Sequence, residues 1–313
     1  MQMSFMDFLS ACVSQPVLLI TVLLVLGVVL VNGWTDAPNA IATCVSTRAM
    51  GPRAAVMMAA VFNFLGVLFM CMISKSVAET IYNMVDFSKV PEGAATNAPL
   101  VALCAALFAI VVWATAAWWF GIPTSESHAL IAGVSGAAIA MGGFSGINWG
   151  EWSKVIIGLV LSTALGFVMG FLTVKLVELM FHNVSRRRAN TFFGGAQIAG
   201  GAAMAFMHGA QDGLKFIGVF LLGLAMVNGT PGTEFTHIPL WLIILISMVM
   251  GLGTSIGGYR IIKAVGMDMV KLQKYQGFSA DVAASLCLLL SSLTGIPVST
   301  THTKTTAIMG VGA

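Results

Sequence analysis

Long apolar runs follow one another along almost the whole chain, at residues 16–31, 54–74, 99–120, 129–144, 155–180, 192–207, 214–227, 238–258 and 278–293. Charged residues make up 9% of the 313 positions and hydrophobic ones 58%, whereas a soluble domain carries roughly a quarter charged residues. Such a chain cannot cover itself with a water-facing surface. About 20 apolar residues cross a bilayer once, so there is room for about eight to ten crossings and none for a separate soluble domain. The expected fold is an all-α polytopic membrane protein embedded in lipid, because a helix satisfies its own backbone hydrogen bonds where water is absent.

The N-terminal stretch 1–14 has no basic segment before the first apolar run, which reads as a retained span and not a cleaved leader. Cys12, Cys44, Cys71, Cys104 and Cys287 stand singly, with no Cys-x-x-Cys pair and no Cys/His cluster at ligand spacing. They read as small buried hydrophobes, and no cofactor is implied. Basic residues gather at Arg48 with Arg53, at Arg186 to Arg188, and at Arg260 with Lys263, Lys271 and Lys274. The positive-inside rule assigns these clusters to the cytoplasm of a cell inner (plasma) membrane. The loops 75–98 and 228–237 then face out.

Several apolar runs are too short to span alone, and they border polar, Gly- and Pro-containing stretches at 32–39, 121–128, 208–213 and 295–302. Broken or re-entrant helices are expected at all four. Asp36 pairs with Asp212 at an offset of 212 − 36 = 176, and Pro123-Thr-Ser-Glu-Ser-His128 pairs with Pro297-Val-Ser-Thr-Thr-His302 at 297 − 123 = 174. Each proline follows Gly-Ile. Two motifs in the same order imply a duplication. The basic clusters then make the copies inverted: 1–180 as a first transmembrane repeat, 181–191 as a basic cytoplasmic linker, and 192–313 as the second. At an offset of 174 the segment 140–180 has no partner, so truncation at the C-terminus is expected.

Inverted repeats with broken helices form a substrate site near the midplane, where freed backbone groups supply polar ligands. Proline followed by hydroxyls is a helix-start pattern, and helix N-termini favour anions. Thr124, Ser125, Ser127, Ser299, Thr300 and Thr301 are therefore the expected ligands of a tetrahedral oxyanion; the alternative is that such hydroxyls bond only their own helix backbone. No arginine lies in any break. Asp36 and Asp212 are carboxylates in apolar surroundings, which calls for a coordinated cation or proton; sodium at these two aspartates is the candidate metal. Asn39, Gln211 and Glu126 are assigned to the same cation shell. Lys215 either neutralises Asp212 or meets the anion. His128, His302 and His208 take part in proton movement or hold structure, and Lys304 either meets the anion or snorkels to the surface.

Residues 32–43, Asn-Gly-Trp-Thr-Asp-Ala-Pro-Asn-Ala-Ile-Ala-Thr, with Ser46-Thr-Arg-Ala-Met50, resemble the signature of the inorganic phosphate transporter (PiT) family, of the bacterial low-affinity permease type. Its second copy is similar to Ala205-Phe-Met-His-Gly-Ala-Gln-Asp-Gly-Leu-Lys215. The resemblance covers nearly the whole chain and implies symport of inorganic phosphate with sodium or protons. It puts the Asp and Asn residues at cation sites and the Ser and Thr residues at the anion. Thr35 and Gln211 stand where the signature has Asn, and Ser-Glu-Ser replaces Ser-Thr-Thr, so the coupling ion stays open. A sulfate permease of the same fold is the alternative substrate reading, and a passive anion channel a further one. An intramembrane aspartyl protease would place Gly-x-Gly-Asp where this chain has Gly-Ala-Gln-Asp, so no enzyme is expected. No nucleic-acid partner is expected, and a homo-oligomer is left open.

Overall fold

The computed structural model describes residues 4–89, 95–228, 237–265 and 271–313. Residues 90–94 of the first expected outer loop and 229–236 of the second lie outside the described residues. The described residues form helices without strands: α1 (Phe5–Ser14), α2 (Pro16–Thr35), α3 (Pro38–Ser46), α4 (Pro52–Ile73), α5 (Ser76–Asn83), α6 (Ala98–Phe120), α7 (Glu126–Gly142), α8 (Trp149–Phe181), α9 (Arg186–Val227), α10 (Leu240–Ile256), α11 (Tyr259–Lys263), α12 (Lys274–Thr294) and α13 (Thr300–Gly312). Seven candidate spans are long and apolar enough to cross a membrane, with α2 and α3 counted together as one. The molecule is therefore a multi-pass helical membrane protein.

Its polarity is inverted relative to a soluble fold. Val13, Phe120 and Leu179 are 86%, 75% and 69% exposed, while Asp36, Glu126, Asp212, Lys215, Asp281 and Lys304 are each at most 1% exposed. An apolar outside suits lipid, and buried charges in such a protein mark a functional interior.

The expected interruptions at 121–128 and 295–302 are present and share one local design. α6 ends on Gly121 (φ 71°, ψ 24°) and α12 on Gly295 (φ 73°, ψ 16°). Both are left-handed caps, where glycine escapes the Cβ penalty. Ile and Pro follow, and then a serine N-cap: the Ser125 hydroxyl accepts from the His128 amide at 3.3 Å and that of Ser299 from the His302 amide at 3.1 Å. The interruption at 32–39 narrows to Asp36 and Ala37. Pro38 has no N–H for the Trp34 carbonyl, so α2 stops and α3 restarts with proline in its first turn.

The break expected at 208–213 does not exist. Residues 192–207 and 214–227 belong to one helix, α9, whose 42 residues extend about 63 Å at 1.5 Å each. Its glycines serve packing. A Cβ on Gly213 would sit 2.6 Å from Val67, one on Gly209 would overlap the Asn63 carbonyl, and one on Gly66 of α4 would overlap the Phe206 carbonyl. Small residues four apart thus let α4 and α9 approach at backbone distance. His208, Gln211 and Asp212 enter the interior from an intact helix. α9 begins at Arg186, so the last part of the expected linker is helical.

Candidate functional site

Short connections deliver the two serine-capped helix starts, α7 and α13, to one point. There Ser299 Oγ donates to Ser125 Oγ at 2.8 Å. The His128 and His302 amides each donate to one of these two hydroxyls, and the point is flanked by the α2–α3 break and the middle of α9.

Asp36 caps the end of α2. Its carboxylate accepts from Asn39 Nδ2 at 2.8 Å, from the Thr301 hydroxyl at close range, and from Thr300 Oγ1 at 3.5 Å. Thr300 is also 3.5 Å from Asp212, so this hydroxyl lies between the two aspartates. Asp212 further accepts from Asn32 Nδ2 at 3.1 Å, Ser127 Oγ at 3.3 Å and Lys215 Nζ at 2.7 Å. Lys215 also reaches the Ser127 hydroxyl and the Val298 carbonyl, each at 2.6 Å. Glu126 Oε1 meets the Thr35 hydroxyl.

His208 Nε2 is 3.4 Å from Asp212 without a hydrogen bond, and its Nδ1 pairs with Asn63 Oδ1 at 3.0 Å. One ligand atom from each of Asp36, His208 and Asp212 falls within a 4.8 Å group. Asn32 Oδ1, Asn39 Oδ1 and Glu126 Oε2 are buried with no hydrogen-bond partner. Three orphaned oxygens beside two carboxylates form a hard donor set, which fits an alkali cation better than any soft metal.

Charge points the same way. Counted by formal charge, the buried acids among the described residues are Asp36, Glu126, Asp212 and Asp281, against the buried lysines Lys215 and Lys304, a balance of 2 − 4 = −2. Two excess negative charges in a low-dielectric interior require compensation by bound cations or protons.

The other expected residues lie around this centre. Both ends of Gln211 are engaged, accepting from Ser292 Oγ at 2.6 Å and donating to the Ile296 carbonyl at 3.1 Å. It stands one shell away from the aspartates. His128 and His302 lie with ring centroids 4.6 Å apart and planes tilted by 32°, and with Thr124, Ser125 and Thr301 they line a groove of about 750 Å³. The hydroxyls of Ser125 and Ser299 are engaged in capping and in each other.

Sequence reasoning missed a second buried cluster. Asp281 accepts from Thr43 Oγ1 at 2.9 and 3.0 Å and from Gln197 Nε2 at 2.5 Å, and it pairs with Lys304 Nζ, which also donates to Thr43 Oγ1 at 3.2 Å. The available signal was an acid inside the apolar run 278–293. Lys304 is buried against Asp281 instead of reaching a surface.

Residues 32–313 match the phosphate transporter family. The chain is 37% identical over 299 residues to a "Probable low-affinity inorganic phosphate transporter" of Bacillus subtilis (strain 168), covering 95% of this chain and 86% of that one. A protein of the same description from Rhizobium meliloti (strain 1021) is 39% identical over 282 residues, covering 90% and 81%. A solved structure described as "The sodium-dependent phosphate transporter" has the same fold, with a TM-score of 0.84 at 22% identity over 95% of this chain and 90% of that one. These proteins are described as transporters, which removes the protease alternative. With the matched family extending across the helix breaks, the aspartates and both serine-capped helix starts, the chain belongs to the phosphate transporter family.

Proposed function

We propose that this protein imports inorganic phosphate across the plasma membrane as a symporter, with sodium as the coupling ion. The observation that carries the reading is the pairing of two anion-favouring helix starts with an interior whose buried acids outnumber its buried lysines by two. A phosphate dianion alone would raise that excess, so cations must bind with it. Asp36 with Asn39, and Asp212 with Asn32, would hold the cations. Their neutralised carboxylates then admit phosphate to the hydroxyls of Ser127, Thr300 and Thr301 and to the first-turn amides of α7 and α13. Thr300, between the two aspartates, would sense both ions. Lys215, whose three N–H donors go to Ser127, Asp212 and the Val298 carbonyl, balances the Asp212 carboxylate.

The duplication supports alternating access: two inverted halves, 1–180 and 192–313, rocking about a shared site. The solved neighbour, described as sodium-dependent, favours sodium over protons. The test is uptake of radiolabelled phosphate into proteoliposomes holding the full chain, with a sodium or a proton gradient imposed separately and sulfate as competitor. Sodium-driven accumulation above equilibrium, resistant to sulfate, is expected. Accumulation driven by protons alone would replace the ion. Passive equilibration would make the protein a channel, and sulfate uptake in place of phosphate would change the substrate.

A further inference from the structure

α3 carries a polar stripe at four-residue spacing, Asn39, Thr43 and Thr47, which puts the three side chains on one helix face. Each belongs to a different layer. Asn39 bonds Asp36 and is 3.3 Å from Thr301, within the site. Thr43 bonds Asp281 and Lys304. Thr47 lines a cavity of about 530 Å³ together with Arg186, Lys274 and Tyr275, at the face that the positive-inside rule gives to the cytoplasm. Between site and cavity stands the Lys304–Asp281 pair, both side chains 0% exposed.

A buried ion pair seals helices no better than hydrocarbon of the same volume, so its position on this line calls for a role beyond packing. The layer is also incompletely paired: Gln197 donates to Asp281, but its Oε1 has no partner. Lys304 is four residues beyond Thr300 on the same helix, so α13 carries an anion ligand and the closing ammonium together. We infer that phosphate leaves toward the basic face along the Asn39–Thr43–Thr47 stripe, and that Lys304 and Asp281 form the gate on that route. The inference rests on the phosphate-transport reading. A shift of α13 after the cations and phosphate bind draws the ammonium off Asp281, opens the layer to the basic cavity, and exposes the cation to the departing anion.

Cys44 reports on this layer without disturbing the pair: it is buried, and its Sγ donates to the Gln197 carbonyl at 3.2 Å. In proteoliposomes of the full chain with the other cysteines replaced by alanine, modification of Cys44 by a membrane-impermeant thiol reagent is measured from each face, with and without sodium and phosphate. At least a fivefold change with ligand, from the basic face only, is expected. No ligand-dependent change, or reaction only from the opposite face, overturns the gate. Replacing one partner strands a buried charge, so the variant is Lys304→Met with Asp281→Asn. It is expected to raise the ligand-free rate at least tenfold while equilibrium phosphate binding stays within threefold of native. Cys44 as protected as in the native chain, or loss of phosphate binding, overturns the proposal. A native chain that binds no phosphate refutes the transport reading instead.

Discussion

Asp36→Asn isolates one charge of the cation set while keeping the side chain's shape. The carboxylate faces donors from Asn39, Thr300 and Thr301 at 0% exposure. An amide retains one acceptor for them but loses the charge and turns two donor hydrogens toward the Thr hydroxyls. Two unit charges about 3 Å apart interact by roughly 5 kcal/mol at an effective dielectric of about 20. Removing one member of a buried charge pair costs about 3–5 kcal/mol. At 1.4 kcal/mol per tenfold change, sodium half-saturation should rise by about two to three and a half orders of magnitude. The assay is sodium activation of phosphate counterflow in proteoliposomes, paired with the sodium-induced shift in melting temperature. As a comparison, Lys175→Gln removes a charge from an exposed pair, 52% and 42% accessible, and should leave both readouts unchanged. If folded Asp36→Asn protein keeps its half-saturation within threefold, Asp36 is no cation ligand and the charge-balance argument fails.

The capping serines hold the two helix starts in place. Each lost N-cap costs about 1 kcal/mol of stability, so Ser125→Ala with Ser299→Ala should lower the melting temperature by about 4–8 °C. A Gly66→Leu change drives a side chain into the Phe206 carbonyl, a backbone atom that cannot swing away. Overpacking of this kind costs about 1–3 kcal/mol or more and should lower the melting temperature by about 5 °C. Gly136→Ala, where a Cβ meets nothing within 4 Å, should change it by less than about 1 °C.

The span pattern, the two serine-capped starts and the pairing of Asp36 with Asp212 were legible in the sequence, because apolar length and helix-start chemistry act locally. The unbroken α9 was not. His208-Gly-Ala-Gln-Asp-Gly213 has the composition of a break, and only the Asn63 and Val67 backbone and side chains across the contact show that its glycines admit α4. Asn32 and Glu126 were visible as polar residues in the breaks, but that one oxygen of each lacks a donor emerges only in three dimensions. Lys304 and Asp281, 23 positions apart (304 − 281), become partners because α13 folds back beside α12.

One residue explains why the two aspartate-bearing segments differ. At the offset of 176 that pairs the aspartates, Pro38 corresponds to Leu214; the segment with proline is broken and the one with leucine is continuous helix. In the broken segment the Asn39 amide bonds the Asp36 carbonyl at 2.9 Å, a tighter closure than the i to i−4 pattern. Gly258 lies against the Trp34 carbonyl and the Pro38 ring, where a Cβ would overlap. Pro38→Ala restores an N–H for Trp34 and removes the penalty of about 3 kcal/mol that proline sets against a continuous helix through this position. A fused helix of regular geometry turns Asn39 away from Asp36 and Thr301. Phosphate counterflow reduced at least tenfold and a raised sodium half-saturation are therefore expected. Transport within twofold of native and unchanged sodium dependence would show that the break is dispensable, and the cation shell would have to be assigned to Asp212, Asn32 and Glu126 without Asn39.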